Sequence, residues 1–350
     1  MKGRLRRMRA IAVTKGGQPV APNVEILQDV PCPEPAPGEL RVRTEASALN
    51  HLDLWVGMGI PGVDRPYPRI TGSDGVGIVE CLGDGVDEAW LGKRVILNAA
   101  IAASQQGIYG KQPAGEHFHL IGEQVPGCLA EFFVAPAKNV LPIDEVDPCQ
   151  GAAFGLVNLT SWRMLVSKAR IKPGQSVLIP GIGGGVALAS LVIAKYFGCQ
   201  VVVSSRDQEK LKTAMLHGAD HGILDTGQDF SREVREVTGG RGVDICAESV
   251  GKATHMACLK SLARGGTLVS CGCTSGPIAE TDLARIFWNQ LSILGSTMGD
   301  MDEFREVVGL LRSGALRPCI DGIHPVEEAQ EAFQRLEEGK QTGKIVIDWR

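Results

Sequence analysis

The stretch Ser176-Val-Leu-Ile-Pro180-Gly181-Ile182-Gly183-Gly184-Gly185-Val186-Ala187 decides the fold. An apolar run enters a glycine cluster, and the cluster enters a segment with helical patterning, Val186–Phe197. Glycines allow a tight turn and let the backbone approach a diphosphate closely. The helix after them offers free N–H groups and a positive dipole end to the anion. Alone, such a glycine pattern is a weak signal, and an empty structural turn is the alternative. Its weight comes from the residues on either side. From Gln175 onward, short apolar runs alternate with helical patterns, the mark of a parallel sheet built from βαβ units. Strands are expected at Ser176–Pro180, Gln200–Ser204, Gly222–Leu224, Val243–Glu248, Thr267–Cys271 and Ser292–Leu294. Helices are expected near Val186–Phe197, Asp207–His217, Phe230–Thr238, Ala253–Leu262 and Thr281–Trp288. Six strands complete a doubly wound dinucleotide-binding sheet.

The first half reads differently. Met8–Val13, Val24–Asp29, Glu39–Ser47, Gly75–Cys81, Arg94–Asn98 and Leu129–Val134 are β-rich runs bounded by Pro and Gly clusters. They suggest an irregular β-barrel. Beyond the sheet come helical patterns at Met301–Ser313 and Val326–Glu338 and a last strand at Lys344–Asp348, which should return to the first domain. The expected domains are 1–155 completed by 297–350, and 156–296. The stretch Ala99–Gly127 has little periodicity and is long for a structureless loop.

Bulk properties exclude several classes. The 350 residues carry a formal net charge of -4, which gives no electrostatic footprint for nucleic acid. No window approaches the roughly 18 apolar residues of a membrane span. The basic cluster Lys2, Arg4, Arg6 and Arg7 is not followed by an apolar segment or a small-residue cleavage site, so a signal peptide is not expected. It reads as a frayed tail, or as residues upstream of a working start at Met8. Ten cysteines are scattered without a Cys-x-x-Cys, as befits reduced thiols in a cytoplasmic protein.

The end of the second sheet strand discriminates between cofactors. An NAD site usually places an acid there, on the ribose 2′-hydroxyl. Here the residues are Val203-Ser204-Ser205-Arg206, with Lys210 a few positions on. Hydroxyls and two cations suit a 2′-phosphate, which points to NADP(H). The alternative is a solvated helix face, with Asp207 and Glu209 nearby.

From about Met8 to Ile347 the chain resembles the medium-chain dehydrogenase/reductase superfamily, and within it the zinc-lacking quinone oxidoreductase-like branch. The likeness is carried by Ala48-Leu-Asn50-His51-Leu-Asp53, Gly72-Ser-Asp74-Gly75-Val-Gly77, Leu159-Thr160-Ser-Trp162, Leu216-His-Gly218-Ala219-Asp220, Asp244-Ile-Cys-Ala-Glu248-Ser249-Val250-Gly251, Ile293-Leu294-Gly295-Ser296 and Gly343-Lys344-Ile345-Val346-Ile347. The resemblance implies a GroES-like β-barrel catalytic domain and a Rossmann domain with a six-stranded parallel sheet. It places Gly183, Gly184, Gly185, Val186 and Ala187 on the pyrophosphate turn, with alanine as an accepted variant of the third glycine. Ser204 and Ser205 fall at the ribose. His51 and Lys344 fall where a basic group often meets the diphosphate. Ser249, Val250, Gly251, Gly272, Cys273 and Leu294 fall toward the nicotinamide, and Asn158 and Thr160 join the cofactor set from the hinge segment. Asn158 has a helix-cap role as its alternative.

The same resemblance argues against zinc. Alcohol dehydrogenases of this family hold the metal with three ligands and an open position. The matching positions hold Asn50, Ser73 and Leu156, and the lobe of four close cysteines is absent from 98–127. A rearranged site at Glu116, His117 and His119 is the alternative. Without a Lewis acid, quinones or alkenes conjugated to a carbonyl become the expected hydride acceptors. Catalysis would then rest on positioning in a dry cleft between the domains. Asn50 is expected near nicotinamide or substrate, with Asp53 orienting His51 or the local backbone. Tyr109 or water would donate the proton. Trp55 stands where this branch often has a tyrosine. The rival readings are an alcohol or aldehyde dehydrogenase with an atypical site, and an NADPH-binding protein without catalysis. The expected partners are a small-molecule substrate and a second copy of the chain, as a homodimer or homotetramer paired through 292–296.

Overall fold

The computed structural model describes residues 6–60, 66–101 and 119–350. The chain forms two compact units. One comprises Met1–Leu156, Asp300–Gly314 and Ile320–Arg350, the other Val157–Gly299 and Ala315–Cys319. Residues 315–319 thus join the second unit, whereas the sequence suggested a single return to the first from 297 onward.

In the second unit the strands lie in the order His221–Leu224, Gln200–Ser205, Ser176–Ile179, Val243–Glu248, Leu262–Ser270, Ser292–Gly295. All neighbours are parallel. Every side chain of Ser176–Ile179 is buried, as expected of a central strand covered on both faces. Leu178, Val202, Val234, Leu259 and Leu268 form part of one apolar core. Burying each such side chain contributes about 1.5–3 kcal/mol. The fifth strand starts at Leu262 rather than at 267, because Leu262 itself pairs with Val243.

In the first unit a sheet runs Val140–Pro142, Arg94–Leu97, Gly75–Leu82, Glu39–Ala48, Lys344–Asp348, Ile320–Pro325, and Phe132–Pro136 also pairs with Glu39–Ala48. A three-stranded sheet of Val24–Pro31, Arg7–Val13 and Arg69–Ile70 accompanies it. The last strand lies antiparallel to Glu39–Ala48, with Val346 opposite Ala48, and this register brings Lys344 to Leu49 and Asn50. Gly77 is required where two strands close, because a Cβ there would collide with the Arg43 carbonyl. The helix Ala329–Glu337 buries Ala329, Ala332, Phe333 and Leu336, a single face at helical spacing, against Ile11, Leu54, Leu129 and Ile345.

Two helices were not foreseen in the sequence. His51–Met58 begins at the Asn50-His51-Leu-Asp53 segment. Pro148–Trp162 continues as a π-helix over Arg163–Lys168. Asn158 therefore sits inside a helix, not at its end. The expected strand Leu129–Val134 starts only at Phe132. Within 99–127, Ala100–Ile101 pairs with His119–Leu120. Tyr109, Glu116 and His117 lie outside the described residues.

Candidate functional site

The glycine turn sits at the end of the central strand of the second unit. The chain order reverses there: Gln200–Ser205 lies on one side of Ser176–Ile179 and Val243–Glu248 on the other. In open parallel sheets this reversal opens a crevice at the carboxyl ends of the strands. Gly181 and Gly183 take φ of +64° and +133°, which side chains rarely adopt. Gly184 caps the helix Gly185–Tyr196 with φ −77°, and no side chain bonds that end. The first N–H groups of a helix have no partner within it, so this end is suited to an anion.

Two observations bear on whether a dinucleotide fits. A Cβ added at Gly184 would meet nothing within 4 Å, so the cradle is open on that side. The buried hydroxyl oxygens of Thr160 and Ser204 have no hydrogen-bond partner. Buried polar groups without partners are uncommon, and both residues belong to segments bonded to the turn. The Ser204 carbonyl accepts from Ile182 N at 2.8 Å, and Ser161, next to Thr160, donates to the Val186 carbonyl at 3.0 Å. These residues fit the nicotinamide dinucleotide that the fold implies.

At the end of the second strand, Ser205 is buried and accepts a hydrogen bond from Asp207 N at 3.2 Å. Arg206 is exposed. The neighbouring acids are engaged elsewhere. Asp207 caps the helix Gln208–Leu216 through Glu209 N and Lys210 N, and Glu209 pairs with Lys212 at 2.7 Å. Lys210 corrects the sequence reading in part. Its stem passes over the glycine turn, with Cδ 2.5 Å and Nζ 3.3 Å from a Cβ built on Gly183. Its ammonium therefore stands at the turn.

Sequence reasoning missed Glu248. Its carboxylate is buried at the end of Val243–Glu248 and accepts from Val250 N at 2.7 Å, Gly251 N at 2.6 Å and Thr254 Oγ1 at 3.0 Å. Ser270 Oγ donates to the other oxygen at 3.3 Å. One acid thus sets the backbone of Ser249, Val250 and Gly251. Gly251 in turn packs against Cys273, where a Cβ would lie 2.8 Å from the Cys273 Cα. Ser275 N and Oγ both donate to the Val250 carbonyl at 2.7 Å. These bonds bring Val250, Gly251 and Cys273 together at adjoining strand ends, while Leu294 is half-buried on the last strand, at the sheet edge. The available signal for Glu248 was a lone acid closing an apolar strand, because a buried carboxylate needs donors.

The first unit holds a second polar cluster. The Lys344 ammonium donates to Leu49 O at 2.7 Å, Asn50 Oδ1 at 2.6 Å and Asp74 Oδ2 at 2.9 Å. Lys344 and Asp74 are 3% and 1% exposed at the side chain. Asn50 Nδ2 donates to Asp74 Oδ2 at 2.9 Å, and Leu156 N to Asp74 Oδ1 at 2.7 Å. Asp53 accepts from Asn50 N and Gly72 N, each at 2.7 Å. Burial raises its pKa, against the pull of these bonds, of the Thr71 hydroxyl and of the Lys344 charge.

This geometry revises three expectations. Lys344 has all three ammonium protons on buried acceptors, so it is not a surface cation waiting for a diphosphate. Asn50 has both ends of its amide held by Lys344 and Asp74, so it does not present that amide to a ligand. Asp53 holds the backbone N–H groups of Asn50 and Gly72, which is the local-backbone role rather than the orienting of His51. His51 is exposed on the first turn of its helix, its ring 6.1 Å from Trp55. Desolvation by the surrounding protein lowers the pKa of its imidazole. The donor set does not suit zinc. Ser73 Oγ donates to Ile121 O at 2.7 Å, Asn50 is closed, and Leu156 brings only carbon. Among the described residues no group of three or more His, Cys, Asp or Glu is placed to hold a metal.

Comparison with known proteins agrees with this architecture. Residues 36–145 match the alcohol dehydrogenase GroES-like domain family, and residues 185–313 the zinc-binding dehydrogenase family. An alcohol dehydrogenase of Geobacillus stearothermophilus is 33% identical, over 92% of this chain and 94% of that one. A quinone oxidoreductase of Mus musculus is 28% identical, over 97% of both. A crystal structure of an NAD-dependent alcohol dehydrogenase superposes with a TM-score of 0.91 at 34% identity, covering 98% of this chain and 100% of that one. The fold and its cofactor crevice define a nicotinamide-dependent oxidoreductase. The chain belongs to the medium-chain dehydrogenase/reductase superfamily.

Proposed function

We propose that the protein is an NADPH-dependent, zinc-independent oxidoreductase that reduces a quinone or an α,β-unsaturated carbonyl compound. The observation that carries the zinc-independent part is the donor set itself: Asn50 is closed by Asp74 and Lys344, Ser73 donates to Ile121 O, and Leu156 brings only carbon. With no Lewis acid to polarise an alcohol or ketone oxygen, the acceptor must itself be electron-poor at carbon. The reduced nicotinamide supplies the hydride when bound. The chain's own part is to bind and orient. Glu248 fixes the loop 249–251, the open helix end at Gly184 would hold the diphosphate, and Arg206 would meet the 2′-phosphate.

The NADPH preference rests on Arg206, which is exposed while Asp207 and Glu209 are engaged with other groups. A charge-assisted contact of this kind is worth about 1.5–3 kcal/mol, or roughly 10- to 150-fold in affinity. Isothermal titration is expected to show NADPH binding tighter than NADH, and Arg206→Ala to erase most of that difference without weakening NADH. Tighter binding of NADH to the unaltered protein would overturn the assignment. Turnover of quinones or enones with NADPH, undiminished by a chelator, is expected. Oxidation of alcohols alone would instead favour the activity that the Geobacillus relative is named for.

The same reading takes the enzyme as a cytoplasmic homodimer. Among the described residues no helix is long and apolar enough to cross a membrane. The strand Ser292–Gly295 is the last of its sheet, and Ile293 is 42% exposed on it. Nearby Leu283, Phe287 and Trp288 are about 70% exposed, and a cluster of this kind marks an interaction face.

A further inference from the structure

Away from both polar sites, the second unit carries a thiol and an imidazole in contact. Cys319 Sγ lies 3.3 Å from His217 Nε2. His217 closes the helix Gln208–Leu216, where its N–H bonds the Thr213 carbonyl. Cys319 ends the segment Ala315–Cys319, which is anchored by the buried Leu316. The ring is exposed and the thiol half-buried, so a small reagent can reach both.

The thiolate, not the thiol, is the nucleophile, and an imidazole in contact with the sulfur can take its proton as the carbon–sulfur bond forms. Arg317, exposed two residues before Cys319, adds positive charge to the same segment. Several other thiols differ. Cys128 and Cys246 are buried and pushed well above the ordinary range by desolvation, Cys149 is raised to about 11 and Cys271 to about 12. Cys273 is exposed, and no basic side chain is bonded to its sulfur among the described residues.

We propose that Cys319, paired with His217, is a reactive thiol that adds to soft carbon electrophiles of the enone, maleimide and quinone class. The thiol proton passes to His217 Nε2. The sulfur then bonds the β-carbon of the electrophile while the π pair moves to the carbonyl, forming an enolate. The imidazolium returns the proton to that enolate. The sum is addition of S–H across C=C, with no oxidant or reductant required. The site is distinct from the hydride-transfer machinery, so it stands whether or not the enzyme's own acceptor is an enone.

N-ethylmaleimide at pH 7, with timed quenching and peptide mass spectrometry, tests this. An ordinary thiol of pKa about 8.5 is only about 3% thiolate at pH 7. A base held against the sulfur removes the proton as the bond forms and so lifts that limit. Cys319 is therefore expected to label about 3- to 10-fold faster than the exposed Cys273 of the same molecule. That internal comparison needs no variant. In His217→Asn the Cys319 rate should fall to that of Cys273, while the Cys273 rate stays as it was. Equal labelling of the two cysteines in the unaltered protein would overturn the proposal, as would an unchanged Cys319 rate in His217→Asn.

Discussion

Replacing Lys344 with methionine separates a structural role for this lysine from a cofactor-binding one. The ammonium is 2.9 Å from Asp74 Oδ2 with both groups almost fully buried. At that distance and an effective dielectric of about 20, Coulomb attraction amounts to about 6 kcal/mol. Desolvation of two ions, several kcal/mol each, offsets most of it, so the intact pair contributes little net stability. Removing one partner is different. Lys344→Met leaves the Asp74 carboxylate, among the described residues, with Asn50 Nδ2 and Leu156 N as the partners of its oxygens, and leaves Leu49 O and Asn50 Oδ1 without their ammonium donor. The expected loss is about 3–5 kcal/mol. In urea, with a slope of about 2–3 kcal/mol/M, the midpoint of the transition of the first unit should fall by roughly 1–2.5 M. Asp74→Asn alone should also destabilise, and the double variant should recover part of the loss, with a coupling of at least about 2 kcal/mol in the double-mutant cycle. A cycle that sums to zero would refute the buried-pair reasoning. So would a Lys344→Met protein that keeps its stability and loses only NADPH affinity, the outcome expected of a lysine bound to the diphosphate.

Two further outcomes test the cradle and the sheet edge. Gly184→Ala should leave the fold intact, because φ is −77° and a Cβ there meets no atom within 4 Å. The added methyl would occupy the space of the diphosphate, so the rise in melting temperature on adding NADPH, worth about 2.7 kcal/mol at a hundredfold excess over Kd, should vanish. An undiminished rise would place the cofactor elsewhere. Trp288→Glu should convert a dimer to a 37.3 kDa monomer by light scattering, and an equal mass for both proteins would remove the edge of Ser292–Gly295 as the contact.

The parallel sheet was legible because its signals are local. An apolar run of four to six residues, a glycine or acid at its end and a helical repeat after it require no knowledge of distant segments. Val243–Glu248 and Met301–Ser313 have the same bounds in the sequence reading and in the structure. The helix Pro148–Trp162 escaped because Ala152, Ala153, Phe154, Val157 and Leu159 are buried on more than one face, which erases the 3.6-residue contrast. His51–Met58 is short, and its start is set by Asp53 reaching back to Asn50 N.

The glycine turn, the six alternating units and the serine–arginine pair after the second strand are properties of the sequence itself, since each acts through backbone freedom or side-chain chemistry at one place. The tasks of Asn50, Asp74, Glu248 and Lys344 were decided only by tertiary structure. Asp74 and Lys344 are 270 residues apart, and they meet because the last strand pairs beside Glu39–Ala48. A lysine in sequence reads as a surface charge. Burial among three acceptors turns it into the counter-ion of a carboxylate, because neither charge is stable in that interior without the other.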